Sequence, residues 1–105
     1  MTEQAINIRV ASRADAAVIA RQRACMFADM GQLNEATFTL FLASVVPALE
    51  QALEAGIYHG WIAELADGPT IAGAGIQLRS VPPRPELPAG CREALVLNVY
   101  VEPAY

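Results

Sequence analysis

A chain of 105 residues, 54% apolar and 17% charged, is sized for one small domain yet carries more apolar surface than such a domain readily buries. Its formal charge of -4, with basic residues that are all arginine and scattered, excludes a sequence-independent nucleic-acid binder, which would show a basic face. No apolar run approaches the roughly 20 residues that span a bilayer, and residues 1–7 lack the basic start and apolar core of a signal peptide, so the expectation is a soluble cytoplasmic protein.

In chain order, Ile6, Ile8 and Val10 alternate with Asn7 and Arg9, the period of a short half-buried strand. Ser12 and Asp15 have capping-box spacing and start a helix over 13–29. Its inward face is Val18, Ile19, Gln22, Cys25, Met26 and Met30, with Arg21, Arg23 and Asp29 toward water, and Gly31 ends it. Asn34 caps a second helix in which Phe38, Leu42, Val45, Leu49 and Leu53 recur at helical spacing before Gly56. Pro47 lies inside that pattern and predicts a kink or two shorter helices meeting near Val46.

Residues 57–65 and 71–81 are β-prone and flank Asp67-Gly68, a hairpin signal. Gly73 and Gly75 recur at period two and clear one sheet face for a close approach by a helix or a ligand. Pro82, Pro83, Pro85 and Pro88 predict an extended, hydrogen-bond-poor excursion. The apolar run at 95–101, interrupted only by Asn98, reads as a strand covered on both faces, and Pro103 ends its pairing.

The order β-α-α-β-β-β, the opening Ile8-Arg9-Val10-Ala11 with Asp15 and Ile19, the segments Met26-Phe27-Ala28-Asp29-Met30-Gly31 and Gly60-Trp61-Ile62-Ala63-Glu64, and above all Asn98-Val99-Tyr100-Val101-Glu102-Pro103 carry a resemblance. Together they resemble the N-terminal half of the GCN5-related N-acetyltransferases. The fold this implies is α+β, a three-layer arrangement with a mixed, mostly antiparallel sheet, here the first part of a single domain over 1–105. The activity it implies is transfer of an acetyl group from acetyl-CoA to a small-molecule or peptide amine, without metal.

In that family the fourth strand lends backbone groups to the cofactor's pantetheine arm, which docks like an added strand. By motif position the resemblance assigns cofactor binding to Val99, Tyr100 and Val101, and a bulge near Asn98 would aim an amide at the thioester oxygen. Glu64 and Glu102 are the carboxylates offered as bases for the acceptor ammonium, each also readable as a solvated charge at a strand end. Phe27, Met30 and Phe38 would line the acceptor side. Amine, amino acid, antibiotic, peptide terminus and lysine side chain all remain open as acceptors.

Cys25 and Cys91 stand far apart with only His59 for company, which supports neither a zinc site nor a disulfide scaffold. The family's glycine-rich pyrophosphate loop would follow Tyr105, so this stretch on its own is expected to be a truncated domain without activity. The alternative is a non-catalytic half-domain serving oligomerisation or regulation. In either case the edge of the last strand, 95–101, is expected to form a homodimer.

Overall fold

The computed structural model describes residues 5–105; residues 1–4, part of the segment read above for a signal peptide, lie outside them. Strand β1 (Ile6–Val10) is followed by a single 3-10 turn (Arg13–Asp15), helix α1 (Ala16–Asp29), helix α2 (Glu35–Glu54) and strands β2 (Tyr58–Leu65), β3 (Thr70–Val81) and β4 (Cys91–Val101). The strands lie side by side in the order β1-β2-β3-β4, and every neighbouring pair is antiparallel. The α+β class and the element order are as expected. A parallel pair, which a mixed sheet would need, does not occur among the described residues.

Local chemistry accounts for the element ends. Asp15 receives the Ser12 N–H at 2.8 Å, Asn34 accepts the Thr37 N–H at 3.0 Å, and Thr37 returns a hydroxyl to the Asn34 N–H at 2.9 Å. Gly31 and Gly56 close the two helices at φ 77° and 72°. Pro47 leaves α2 one continuous helix rather than two. Both Pro47 and Ala43, whose carbonyl loses its donor, are exposed, so that carbonyl is left open to solvent rather than buried without a partner. The 82–90 segment is compact, with Arg84 and Leu87 exchanging two backbone bonds in a tight turn rather than an open excursion.

Both helices lie on one face of the sheet, around a small core of Ala16, Ile19, Ala20, Leu49, Tyr58 and Ile62. The long β3–β4 arm stretches the chain to 58 Å and raises its radius of gyration to 16.2 Å, against about 13 Å for a compact chain near 100 residues. Arginine clamps tie the elements to one another. Arg9 on β1 holds both Asp15 carboxylate oxygens at 2.8 and 2.9 Å and Glu64 at 3.0 Å, Arg13 pairs with Glu50 and Glu54, and Arg21 pairs with Glu102.

Three burial expectations change. Ile6, Ile8 and Val10 point away from the helices, Ile8 remaining 67% exposed, while Arg9 is the residue turned inward. Met30 caps the end of α1 at 53% exposure instead of joining the core. Strand β4 is not covered on both faces: Leu95, Val96, Val99 and Val101 are all exposed, since both helices lie on one face of the sheet and nothing among the described residues covers the other. Helix α2 has 20 residues and contains an 18-residue window of mean hydropathy 1.4, so by length and composition alone it is long and apolar enough to cross a membrane, which the count of unbroken apolar runs did not register. Its packing against α1 and β2 and the pairing of Glu50 and Glu54 with Arg13 suit a helix lying on a sheet.

The Asp15 carboxylate is held below its ordinary range, chiefly by the Arg9 bonds and also by the Ser12 N–H. A lowered folded-state value contributes stability that is complete above the unfolded carboxyl's pKa of about 4 and disappears as pH falls through the folded value. Asp15→Asn is therefore expected to cost about 1–3 kcal/mol at pH 7 and less at pH 3, as read from urea unfolding midpoints at the two pH values. An equal loss at both would contradict this account.

Candidate functional site

The sheet face beneath the helices is opened by three glycines. A Cβ at Gly75 would fall 2.0 Å from the Tyr58 hydroxyl oxygen, one at Gly60 would fall 2.9 Å from the same ring, and one at Gly73 would fall 2.2 Å from Gln22 Oε1. The close approach that the Gly73/Gly75 spacing predicts is thus made by Tyr58 from the neighbouring strand and Gln22 from α1. Gln22 is fully buried, and its Nε2 has no partner among the described residues.

Opposite these glycines β4 breaks its register. Gly73 faces Tyr100 and Gly75 faces Leu97, so Ala74 alone faces both Asn98 and Val99. Asn98 has φ 58°, the only non-glycine residue with positive φ among the described residues. This is a β-bulge with a left-handed residue, a conformation that asparagine tolerates better than most. Its side chain, 2% exposed, receives Arg23 Nη1 on Oδ1 at 2.6 Å and donates through Nδ2 to the Tyr58 hydroxyl at 3.2 Å. The bulge is therefore tied to α1 on one side and to β2 on the other.

Beside the bulge, between α2 and the sheet, lies a cleft of about 380 Å³. Arg23, Tyr58, Gln77 and Asn98 supply its polar atoms, and Phe41, Val45, Leu49 and Leu97 are among its apolar walls. Burial pushes the Tyr58 hydroxyl's pKa up, partly offset by the Asn98 bond and the Arg23 charge, so the phenol stays neutral at physiological pH. The Arg23 guanidinium lies 4.9 Å over the Phe27 ring, which meets Phe41 edge-on at 5.6 Å.

The sequence-derived candidates divide. Asn98 and the bulge stand where the motif places them. Glu102 N–H donates to the Ile71 carbonyl at 2.8 Å, so strand alternation turns the Val101 amide to the open edge. The same alternation turns the backbone of Tyr100 to β3, its partner being Gly73, and leaves Val99 in the bulge itself. Glu64 is engaged by Arg9 and Glu102 by Arg21, and neither lines the cleft. Phe27 adjoins the cleft through Phe41 and Arg23; Phe38 lines a separate shallow hollow with Leu33 and Asn34, and Met30 lines neither. Arg23 and Tyr58 were readable only as a surface cation and a core aromatic, since their meeting depends on strand register. The signal within reach was the pair of glycines, which marks a strand whose neighbour carries an inward ring.

If the Tyr58 ring needs the space above Gly75, Gly75→Ala is expected to cost about 1–3 kcal/mol by overpacking. Gly68→Ala, where a Cβ meets nothing within 4 Å, serves as the control. Chemical denaturation of both variants checks this, and equal midpoints would contradict it.

No family model and no curated protein matches the sequence. Two solved structures do resemble the chain. A GCN5-related N-acetyltransferase from Ralstonia eutropha JMP134 is 28% identical with a TM-score of 0.79, the match covering 96% of this chain and 65% of that one. A predicted acetyltransferase with acetyl-CoA from Clostridium acetobutylicum is 24% identical with a TM-score of 0.79, covering 95% of this chain and 62% of that one. The chain thus spans just under two thirds of either structure. With the strand order, the capped helices and the bulged edge strand, this likeness shows that the chain has the fold of the GCN5-related N-acetyltransferases over nearly its whole length.

Proposed function

We propose that the protein is an acyl-CoA-dependent N-acetyltransferase, with the edge of β4 as the docking strand for acetyl-CoA and the neighbouring cleft as the seat of the amine acceptor. The observation that carries this reading is the left-handed bulge at Asn98 on an edge strand. An edge strand offers main-chain donors and acceptors to an extended, amide-bearing ligand, and Val101 turns its N–H to that edge. A bulge re-aims the amides beside it, so Asn98 and Val99 are the residues proposed to meet the thioester oxygen, where negative charge grows during attack.

Acetyl-CoA supplies the activated acyl group. The amine lone pair forms the new C–N bond at the acetyl carbon, the C–S bond breaks, and the proton given up by nitrogen balances the departing thiolate. The chain's own contribution is orientation: the Asn98 side chain, locked by Arg23 and Tyr58, keeps the bulge from relaxing into regular strand. Val101→Pro tests this in the protein as its gene encodes it, because proline is tolerated where the N–H faces an open edge. Loss of that donor is expected to raise the KM for acetyl-CoA about fivefold to tenfold, measured by thiol release with a panel of amines. An unchanged KM would remove Val101 from the docking strand, and no thiol release with any amine would remove the activity.

The second reading, a non-catalytic module that assembles through β4, is favoured by one observation of its own. On the sheet face away from the helices, Ile8, Ala63, Ala72 and Val101 form one row across the strands, and Val10, Trp61 and Ala74 form another. Ile8, Val10, Trp61, Val99 and Val101 are all exposed there, an apolar face of the kind that marks association. A homodimer through β4 predicts twice the monomer mass in light scattering and a return to monomer on Val96→Lys. Monomer mass for the unaltered protein would rule that assembly out.

A further inference from the structure

The cleft beside the bulge holds one cation and no anion: Arg23 lines it, and no aspartate or glutamate does. Elsewhere Arg9, Arg13, Arg21, Arg79 and Arg84 each have a carboxylate partner, and Arg92, which has none among the described residues, is exposed on β4 away from the cleft. Arg23 has none among the described residues and meets only the neutral oxygen of Asn98. Its plane is held over Phe27, so the guanidinium fork is pre-oriented while most of its N–H donors stay available. Tyr58, whose oxygen already accepts from Asn98, keeps its own O–H to donate. A partly buried guanidinium without a counter-charge beside a phenolic donor is a seat for an oxyanion.

Resting on the acetyltransferase reading above, we propose that the acceptor is a small amine that also carries a carboxylate and an apolar body, the class to which apolar amino acids belong. The carboxylate sits on Arg23 with the Tyr58 O–H beside it. The apolar body lies against Phe41, Val45, Leu49 and Leu97, and the amine is thereby presented toward the bulge at Asn98. A volume of about 380 Å³ suits such a molecule and not a folded protein segment. The carboxylate takes no part in bond making. It fixes where the nitrogen stands when the C–N bond forms and the C–S bond breaks.

The test uses the protein as its gene encodes it and a product-like probe, N-acetyl-L-leucine, against its carboxamide, with calorimetry as the readout. The acid is expected to bind about tenfold or more tighter than the amide. Arg23→Gln is expected to erase that preference with far-UV dichroism unchanged, and Arg23→Lys to keep part of it. Equal affinity for acid and amide overturns the proposal, as does a preference that survives Arg23→Gln. If Arg23→Gln fails to fold, the acid-to-amide ratio of the unaltered protein still decides. Displacement of N-acetyl-L-leucine by adenosine 3′-phosphate 5′-diphosphate, which carries the phosphates of coenzyme A without its pantetheine arm, would assign the cleft to a phosphate and also overturns the proposal. A parallel thiol-release assay with leucine, leucinamide and isoamylamine separates the two readings. Equal turnover of all three sinks the carboxylate seat and keeps the acetyltransferase, whereas carboxylate binding without thiol release keeps the seat and sinks the acetyltransferase.

Discussion

A single buried carboxamide ties the bulge of β4 to two other elements. Asn98 accepts from Arg23 on α1 and donates to Tyr58 on β2, while its own backbone occupies the left-handed region that makes β4 bulge. A residue in that conformation persists only where its surroundings over-determine it, and here two side chains from separate elements do so. Remove the side chain, and the strand has no reason to keep an extra residue opposite Ala74. The cleft, the re-aimed amides and the orientation of Arg23 all follow from that one side chain.

Much of the acidic balance of the chain is spent on ion pairs between elements. Asp15, Glu50, Glu54, Glu64 and Glu102 all face arginines that bridge one element to another. Most of these pairs are partly exposed and individually worth about 0–1 kcal/mol. The one between Arg9 and Asp15 differs, since it is two-pronged and also serves a helix start. Because the core is small and alanine-rich, such clamps set how the helices sit on the sheet, and hence how wide the cleft stands. Their placement also leaves the cleft itself without a carboxylate.

Much of the fold was legible because short-range chemistry decides it. Ser12 with Asp15, the Asn34 cap, Gly31, Gly56 and the Asp67-Gly68 turn each act within a few residues, and each acts as the sequence implies. Facing was harder to read. The alternation of Ile6, Ile8 and Val10 marks a strand but not which side meets the helices, and an arginine took the inner side because Asp15 and Glu64 were waiting there. The apolar run of β4 reads as buried on both faces, although burial depends on neighbours that periodicity does not supply. Within the site, Asn98 was visible as the lone polar residue of an apolar run. Arg23 was not, since one arginine on a helix looks like any solvated charge until a strand places an amide beneath it.

The β3–β4 arm has a consequence of its own. Beyond the Leu78 N–H bond to the Ile57 carbonyl, its pairs from Arg79–Glu93 out to Val81–Cys91 have little besides each other to hold them, so opening is expected to begin at the proline-rich tip and run inward. A two-stranded ribbon with apolar residues on both faces is also free to re-pair one step out of register. The extra residue opposite Ala74 acts as a ratchet pawl against that slippage, since a shifted strand would have to drag an anchored amide out of its pocket. Fraying at the distal end is thereby confined, and the groups beside the cleft keep their alignment while the tip breathes.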